Sequence, residues 1–152
     1  MNGTSITWWY DDRKSRWKNT TVEVIEILLK KNPKNIRKRG GKFHDLPLHY
    51  AIMLGASLNV VKYIGDAFPK AFKYESHEFQ GDFPLHLAAR FNPKTIKYML
   101  YMDPIAVNVK DKYGKTPFDI VKEGKSNSIA IQFFQYFYQI SIKLCVCGVC
   151  VY

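Results

Sequence analysis

Histidine and cysteine are the side chains here best suited to catalysis or metal binding, and their placement limits both. His49 and His86 each follow a Pro-Leu pair, while His44 and His77 fall in polar stretches that read as turns. A catalytic or metal role needs several such groups converging on one point, and these belong to different segments of the chain. No His-Glu-x-x-His pair, nucleophile elbow or triad spacing occurs. Cys145, Cys147 and Cys150, all within the last eight residues, have ligand-like spacing. A structural zinc site wants a fourth ligand, and none is near in sequence. They read as thiols on a tail, with acylation beside a membrane as the alternative. Neither a metal nor a cofactor is expected, and no catalytic residue is assigned.

Two further matches concern phosphates. Gly114-Lys115-Thr116 and Gly124-Lys125-Ser126 resemble the end of a phosphate-binding loop. That loop needs an earlier glycine so that its backbone can curl around the anion. Val109 and Asp119 stand at the required places, and neither match follows a buried strand. The stretch from Lys30 to Lys42 is different, holding Lys30, Lys31, Lys34, Arg37, Lys38, Arg39 and Lys42 without one acid. Arg13, Lys14, Arg16 and Lys18 form a second cluster. Such density suits nucleic acid or another anionic surface. Aromatic side chains are sparse within it, which disfavours stacking on single strands. A solvated turn facing acidic protein is the preferred reading.

The elements that carry these residues recur. Leu46-Pro47-Leu48-His49-Tyr50-Ala51, Phe83-Pro84-Leu85-His86-Leu87-Ala88 and Thr116-Pro117-Phe118-Asp119-Ile120-Val121 align, their prolines 37 and 33 residues apart. A second marker, an apolar stripe closing at Pro33, Pro69 and Pro104, has spacings of 36 and 35. Each unit reads as two short helices and a turn. Proline suits a first helical turn, where its missing N–H would have been unpaired anyway. Gly55-Ala56-Ser57 and Asn92-Pro93 end the first helix, and the second follows with 3/4 apolar spacing. Polar stretches at Glu75–Asp82 and Lys110–Lys115 close the units. Neither helix alone hides its apolar face, so neighbours must stack into one core.

Leu-Pro-Leu-His-Tyr-Ala and Phe-Pro-Leu-His-Leu-Ala resemble the Thr-Pro-Leu-His-x-Ala signature of ankyrin repeats. Lys110 to Pro117 resembles that family's turn and helix start. Gly55-Ala56-Ser57 with Ala67-Phe68-Pro69-Lys70-Ala71 is similar to a divergent subtype in large arrays of unicellular eukaryotes. The resemblance spans roughly residues 22 to 140. It implies an all-α, helix–turn–helix solenoid with projecting β-turns and about three to four repeats. It also implies that His49 and His86 hydrogen-bond backbone and tie successive turns together. Leu46 and Phe83 depart from the family's Thr and lose a hydroxyl cap that contributes roughly 0.5–2 kcal/mol. Asp119 replaces the last signature histidine, and the first unit lacks its Pro-Leu-His half.

The same pattern maps a partner onto the concave helix face and the turn tips. It selects Tyr50, Met53, Leu87 and Arg90 on first helices, and Phe43, Phe79, Gln80, Asp82, Lys112 and Tyr113 on turns. Exposed aromatics and Arg are the usual anchors of interfaces. Met53 and Leu87 read equally well as core. The expected function is therefore non-catalytic protein binding, with the Lys30–Lys42 cluster as the basis of an anionic-surface alternative.

At 152 residues and 47% apolar content the chain can build one core. A net charge of +10 favours an acidic partner. Residues 1–21, with Trp8, Trp9 and Trp17, are expected to form an irregular cap, 22–142 the repeat domain and 143–152 a tail. The opening residues show no apolar run with a cleavage site, so the sequons at Asn2 and Asn19 are expected to stay unused. Cysteines confined to the tail suit a reduced, cytoplasmic or nuclear setting. The last helix is rich in aromatics, with Gln132, Gln135 and Gln139 on one face. Its glutamines and Lys143 make a poor membrane span. The expected alternatives are docking to a partner, self-association, or the edge of a longer array.

Overall fold

The computed structural model describes residues 20–41, 43–79, 81–124 and 128–146, with side chains given over 130–139 of the last stretch. Among these residues the regular structure is helical: α1 (Val22–Lys31), α2 (Pro47–Met53), α3 (Leu58–Ala67), α4 (Pro84–Phe91), α5 (Ile96–Met102), α6 (Pro117–Glu123) and α7 (Ser128–Val146). Short 3₁₀ turns at Pro33–Arg37, Pro69–Lys73, Pro93–Thr95 and Pro104–Asn108 each open on a proline. Among the described residues there is no strand, only an isolated bridge between Gly40 and Asp45. The fold is all-α.

Proline and histidine together explain where the first helices start. Pro47, Pro84 and Pro117 open α2, α4 and α6. At α6 the cap is reciprocal: Asp119 N–H donates to Thr116 Oγ1 at 3.3 Å, and Thr116 N–H donates to Asp119 Oδ2 at 3.0 Å. Leu46 and Phe83 have no oxygen to offer, so only half of this arrangement survives at α2 and α4. There His49 and His86 take the place of Asp119, their Nδ1 atoms accepting the N–H of Leu46 at 3.4 Å and of Phe83 at 3.2 Å. Leu46 is also 3% exposed. Burying a leucine contributes about 1.5–3 kcal/mol, which outweighs the missing hydroxyl.

The helices pack as successive pairs. α2 lies against α3, α4 against α5 and α6 against α7, while α4 sits between α2 and α6. α1 contacts α3, and α5 contacts α7. Ala51 and Ala88, both fully buried, let the first helices approach closely. Around them Ile25, Leu48, Ile52, Val60, Ile64, Leu85, Ile96 and Met99 form one continuous core. Gly65 of α3 is required by this packing. A Cβ there would lie 2.6 Å from Phe72 Cζ and 2.7 Å from the Tyr98 hydroxyl oxygen.

α7 continues past residue 142, so the helix takes in part of the expected tail. Phe134 is fully buried and packs on Phe118 at 5.6 Å, while Gln132, Gln135 and Gln139 are exposed. No helix among the described residues is long and apolar enough to cross a membrane. The cap of residues 1–19 with its tryptophans, second basic cluster and sequons lies outside the described residues. So do Lys42, Gln80, Cys147, Cys150 and the side chains of Lys143 and Cys145.

Candidate binding surface

Two buried histidines fix the turns onto the helices. His49 Nε2 lies 3.0 Å from the Tyr74 carbonyl, and His86 Nε2 lies 3.1 Å from that of Val109. Because Nδ1 accepts from the helix start in both cases, Nε2 is the donor to the following turn. Both rings are fully buried. Their role in tying turns together is the one the ankyrin resemblance implied. Burial holds His86 below its ordinary range, outweighing the attraction of Asp82 and Asp111.

The carboxylates of these turns are clamped in two ways. Asp45 is 1% exposed and accepts from the Ser76 hydroxyl at 2.8 Å and from the His77 N–H at 2.6 Å. Arg39 reaches it at 3.8 Å, and its guanidinium also donates to the Glu75 carbonyl. Burial alone would raise the Asp45 carboxyl, but the bonds from the His77 amide and the Ser76 hydroxyl hold it below the usual carboxylate range. In the next unit Asp111 stands where Ser76 stood. Two acids cannot bond each other when ionised, so Arg90 is placed between them, 2.8 Å from Asp82 and 2.7 Å from Asp111. Asp82 is pushed up by its burial in spite of Arg90. Burial would also raise Asp111, but the amides of Lys115 and Tyr113, with Arg90, hold it low.

This geometry corrects part of the expected partner surface. Tyr50 is 1% exposed, and its hydroxyl donates to the Gly40 carbonyl at 2.9 Å and accepts from the Phe43 amide at 3.2 Å. It braces the turn from inside. Leu87 is fully buried and Met53 packs against the core, so the core reading of both prevails. Asp82 is 2% exposed and belongs to the Arg90 bridge. Phe79 is half-buried, its ring 5.0 Å from that of Phe91. Phe43 is half-buried against the core. Lys112 and Tyr113 remain outside, Tyr113 being 69% exposed with the Lys112 ammonium 4.9 Å from its ring centre.

The basic stretch is partly used within the chain. Lys30 pairs with Glu26 at 3.0 Å, Arg37 sits over Phe68, and Arg39 is held by Glu75 and Asp45. Lys31, Lys34 and Lys38 are exposed. Among the described residues no group of three or more His, Cys, Asp or Glu side chains is arranged to hold a metal. Sequence reasoning missed Asp45, Ser76 and Asp111 as turn clamps. It also missed Asn92, whose side-chain amide donates to the Ala56 carbonyl at 2.9 Å across units. An alignment of the turns, with Ser76 opposite Asp111, carries the signal for the first three.

No protein-family model matches the chain, and no curated protein matches it.

Proposed function

We propose that this chain is a non-catalytic protein-binding module of the ankyrin type. In this reading the helix pairs form a solenoid of about three to four repeats that works in the cytoplasm or nucleus. The partner is held chiefly by the turn tips, with Tyr113 and Lys112 as anchors. The observation that carries the reading is the rigid support of an exposed aromatic tip. The Asp111 side chain accepts the Tyr113 amide at 2.8 Å and the Lys115 amide at 2.9 Å, and Arg90 ties Asp111 to the preceding turn. A tip already fixed in one conformation loses little entropy on binding, and exposed Tyr is a frequent interface anchor. The first-helix side contributes less than the signature pattern suggested, since Tyr50 and Leu87 are buried. The anionic-surface alternative is weaker, because Lys30, Arg37 and Arg39 already have partners within the chain.

The test is a photo-crosslinking residue placed at Tyr113 in one protein and at Ile105, 61% exposed on another part of the surface, in a second. A partner captured from position 113 and not from 105 is then titrated against the Tyr113→Ala variant. The expected loss is about 1–3 kcal/mol of binding free energy. Equal capture from both positions, or unchanged affinity in the variant, would sink the assignment.

A further inference from the structure

A second surface lies on the second helices, away from the turn tips. Leu58, Lys62 and Asp66 recur every fourth residue and form one stripe of α3. Lys94, in the 3₁₀ turn Pro93–Thr95, continues into a stripe with Lys97 and Tyr101 of α5. The two stripes face each other over a groove of about 600 Å³, to which Phe133 of α7 also contributes. Lys62, Lys94 and Lys97 are all exposed, and among the described residues none is in an ion pair. The single carboxylate is already engaged: Asp66 accepts the Tyr98 hydroxyl at 2.8 Å. Tyr101 is 81% exposed and Leu58 37%. Three ammonium groups without a carboxylate partner therefore border apolar surface that nothing in the described chain covers, Lys62 and Lys97 resting near the Tyr98 and Phe133 rings at 5.8 and 6.0 Å.

We propose that this groove binds an acidic segment of a partner protein. An apolar side chain of the segment would lie on Leu58 and Tyr101, and its carboxylates would meet Lys62, Lys94 and Lys97. Charge complementarity sets the sign of the occupant, and the apolar floor requires more than charge. Single-stranded nucleic acid fits less well because it is held by a run of open ring faces for stacking. Here Tyr98 is 8% exposed and the Lys97 ammonium lies 6.0 Å from the centre of the Phe133 ring, leaving Tyr101 as the open platform. This surface is separate from the turn tips, so it stands or falls independently of the Tyr113 assignment.

The experiment is fluorescence anisotropy on the full chain with a labelled glutamate-rich peptide carrying a central Leu-Phe pair. Lys94→Glu combined with Lys97→Glu should weaken binding about tenfold or more, equivalent to about 1.4 kcal/mol. Tyr101→Ser, at an exposed position that leaves the core intact, should weaken it without altering net charge. Lys110→Glu with Lys122→Glu makes the same change in net charge elsewhere on the surface and should leave binding nearly unchanged. Circular dichroism of each variant checks that the helices persist. Equal weakening by both double reversals would overturn the proposal in favour of diffuse attraction. So would undiminished binding of a peptide with Ser-Ser in place of Leu-Phe. Tighter binding of a single-stranded oligonucleotide, lost on the same Lys94 and Lys97 reversal, would also overturn it and reassign the groove.

Discussion

Arg90 is where the chemistry of single residues bears most on stability. Asp45 needs no arginine of this kind because Ser76 donates to it directly. Replacing that serine by an acid at position 111 makes a bridging cation necessary, and Arg90 supplies one with its side chain only 27% exposed. Arg90→Ala should cost roughly 1–3 kcal/mol, the penalty for stranding buried polar groups. A shift in the urea midpoint would measure it. Adding Asp111→Ser should recover part of the loss by restoring the Ser–Asp arrangement of the preceding unit, and a double-mutant cycle would show the coupling. His86 makes a second prediction. Its folded form resists protonation more than the unfolded chain does, having been lowered from 6.5. Its contribution to stability is therefore complete above that ordinary value and declines as pH falls beneath it. Unfolding free energy should fall between about pH 7 and pH 5, and His86→Gln should flatten that slope. Asp45 and Asp111, both lowered from 3.8, lose their contributions only in more acid solution. An unchanged slope in the variant would refute the assignment to His86.

Elements differ in what they tolerate, and α3 shows it best. Gly→Ala in a helix interior ordinarily gains roughly 1 kcal/mol. At Gly65 the new methyl would collide with the Phe72 ring and the Tyr98 hydroxyl, at 2.6 and 2.7 Å. Overpacking of this kind costs about 1–3 kcal/mol, and Tyr98 would be displaced from its bond to Asp66 as well. Gly65→Ala should thus destabilise in spite of the better helix former, as a lower midpoint of thermal unfolding. The turns have a comparable point of contact at Gly81. Its φ of +85° is one that side chains avoid, and a Cβ there would lie 2.8 Å from the Lys112 backbone nitrogen. Glycine is what lets one turn rest on the next.

At the scale of the molecule the principal helix contacts run between neighbouring pairs. Stability in such an arrangement is close to a sum of local and nearest-neighbour parts. Ile25 is fully buried in α1, and Ile25→Ala should cost about 2–5 kcal/mol. Native-state hydrogen exchange should show faster amides in α1 and α3, with the most protected amides of α6 unaffected. Uniform acceleration across all helices would instead mean a single cooperative unit. The charge of +10 acts over the whole surface and concerns association more than fold. If the groove beside α3 binds as proposed, the local distribution of that charge, with three lysines around it that lack a carboxylate partner, would set the specificity.

The sequence alone determined the all-α class and the alternation of short helices and turns, while the backbone-binding role of His49 and His86 was implied by the resemblance of their motif to the ankyrin signature. The first two follow from local rules: proline at helix starts, 3/4 apolar spacing, and a period marked twice by prolines. The grouping of Gln132, Gln135 and Gln139 on one face of α7 was legible for the same reason, but not the exposure of that face. Tertiary structure decided which side chains remain available. Tyr50, Leu87 and Asp82 sit at positions that look open on an isolated helix or turn, yet each is buried: Tyr50 reaches back to the turn before α2, Leu87 joins the core and Asp82 is taken up by Arg90. The groove between α3 and α5 was equally hidden, since Lys62 and Lys97 belong to different units and face each other only once those units stack. Periodicity reports the face a helix presents to its own pair. Exposure depends on what the neighbouring pair covers, and that is a property of the packed chain.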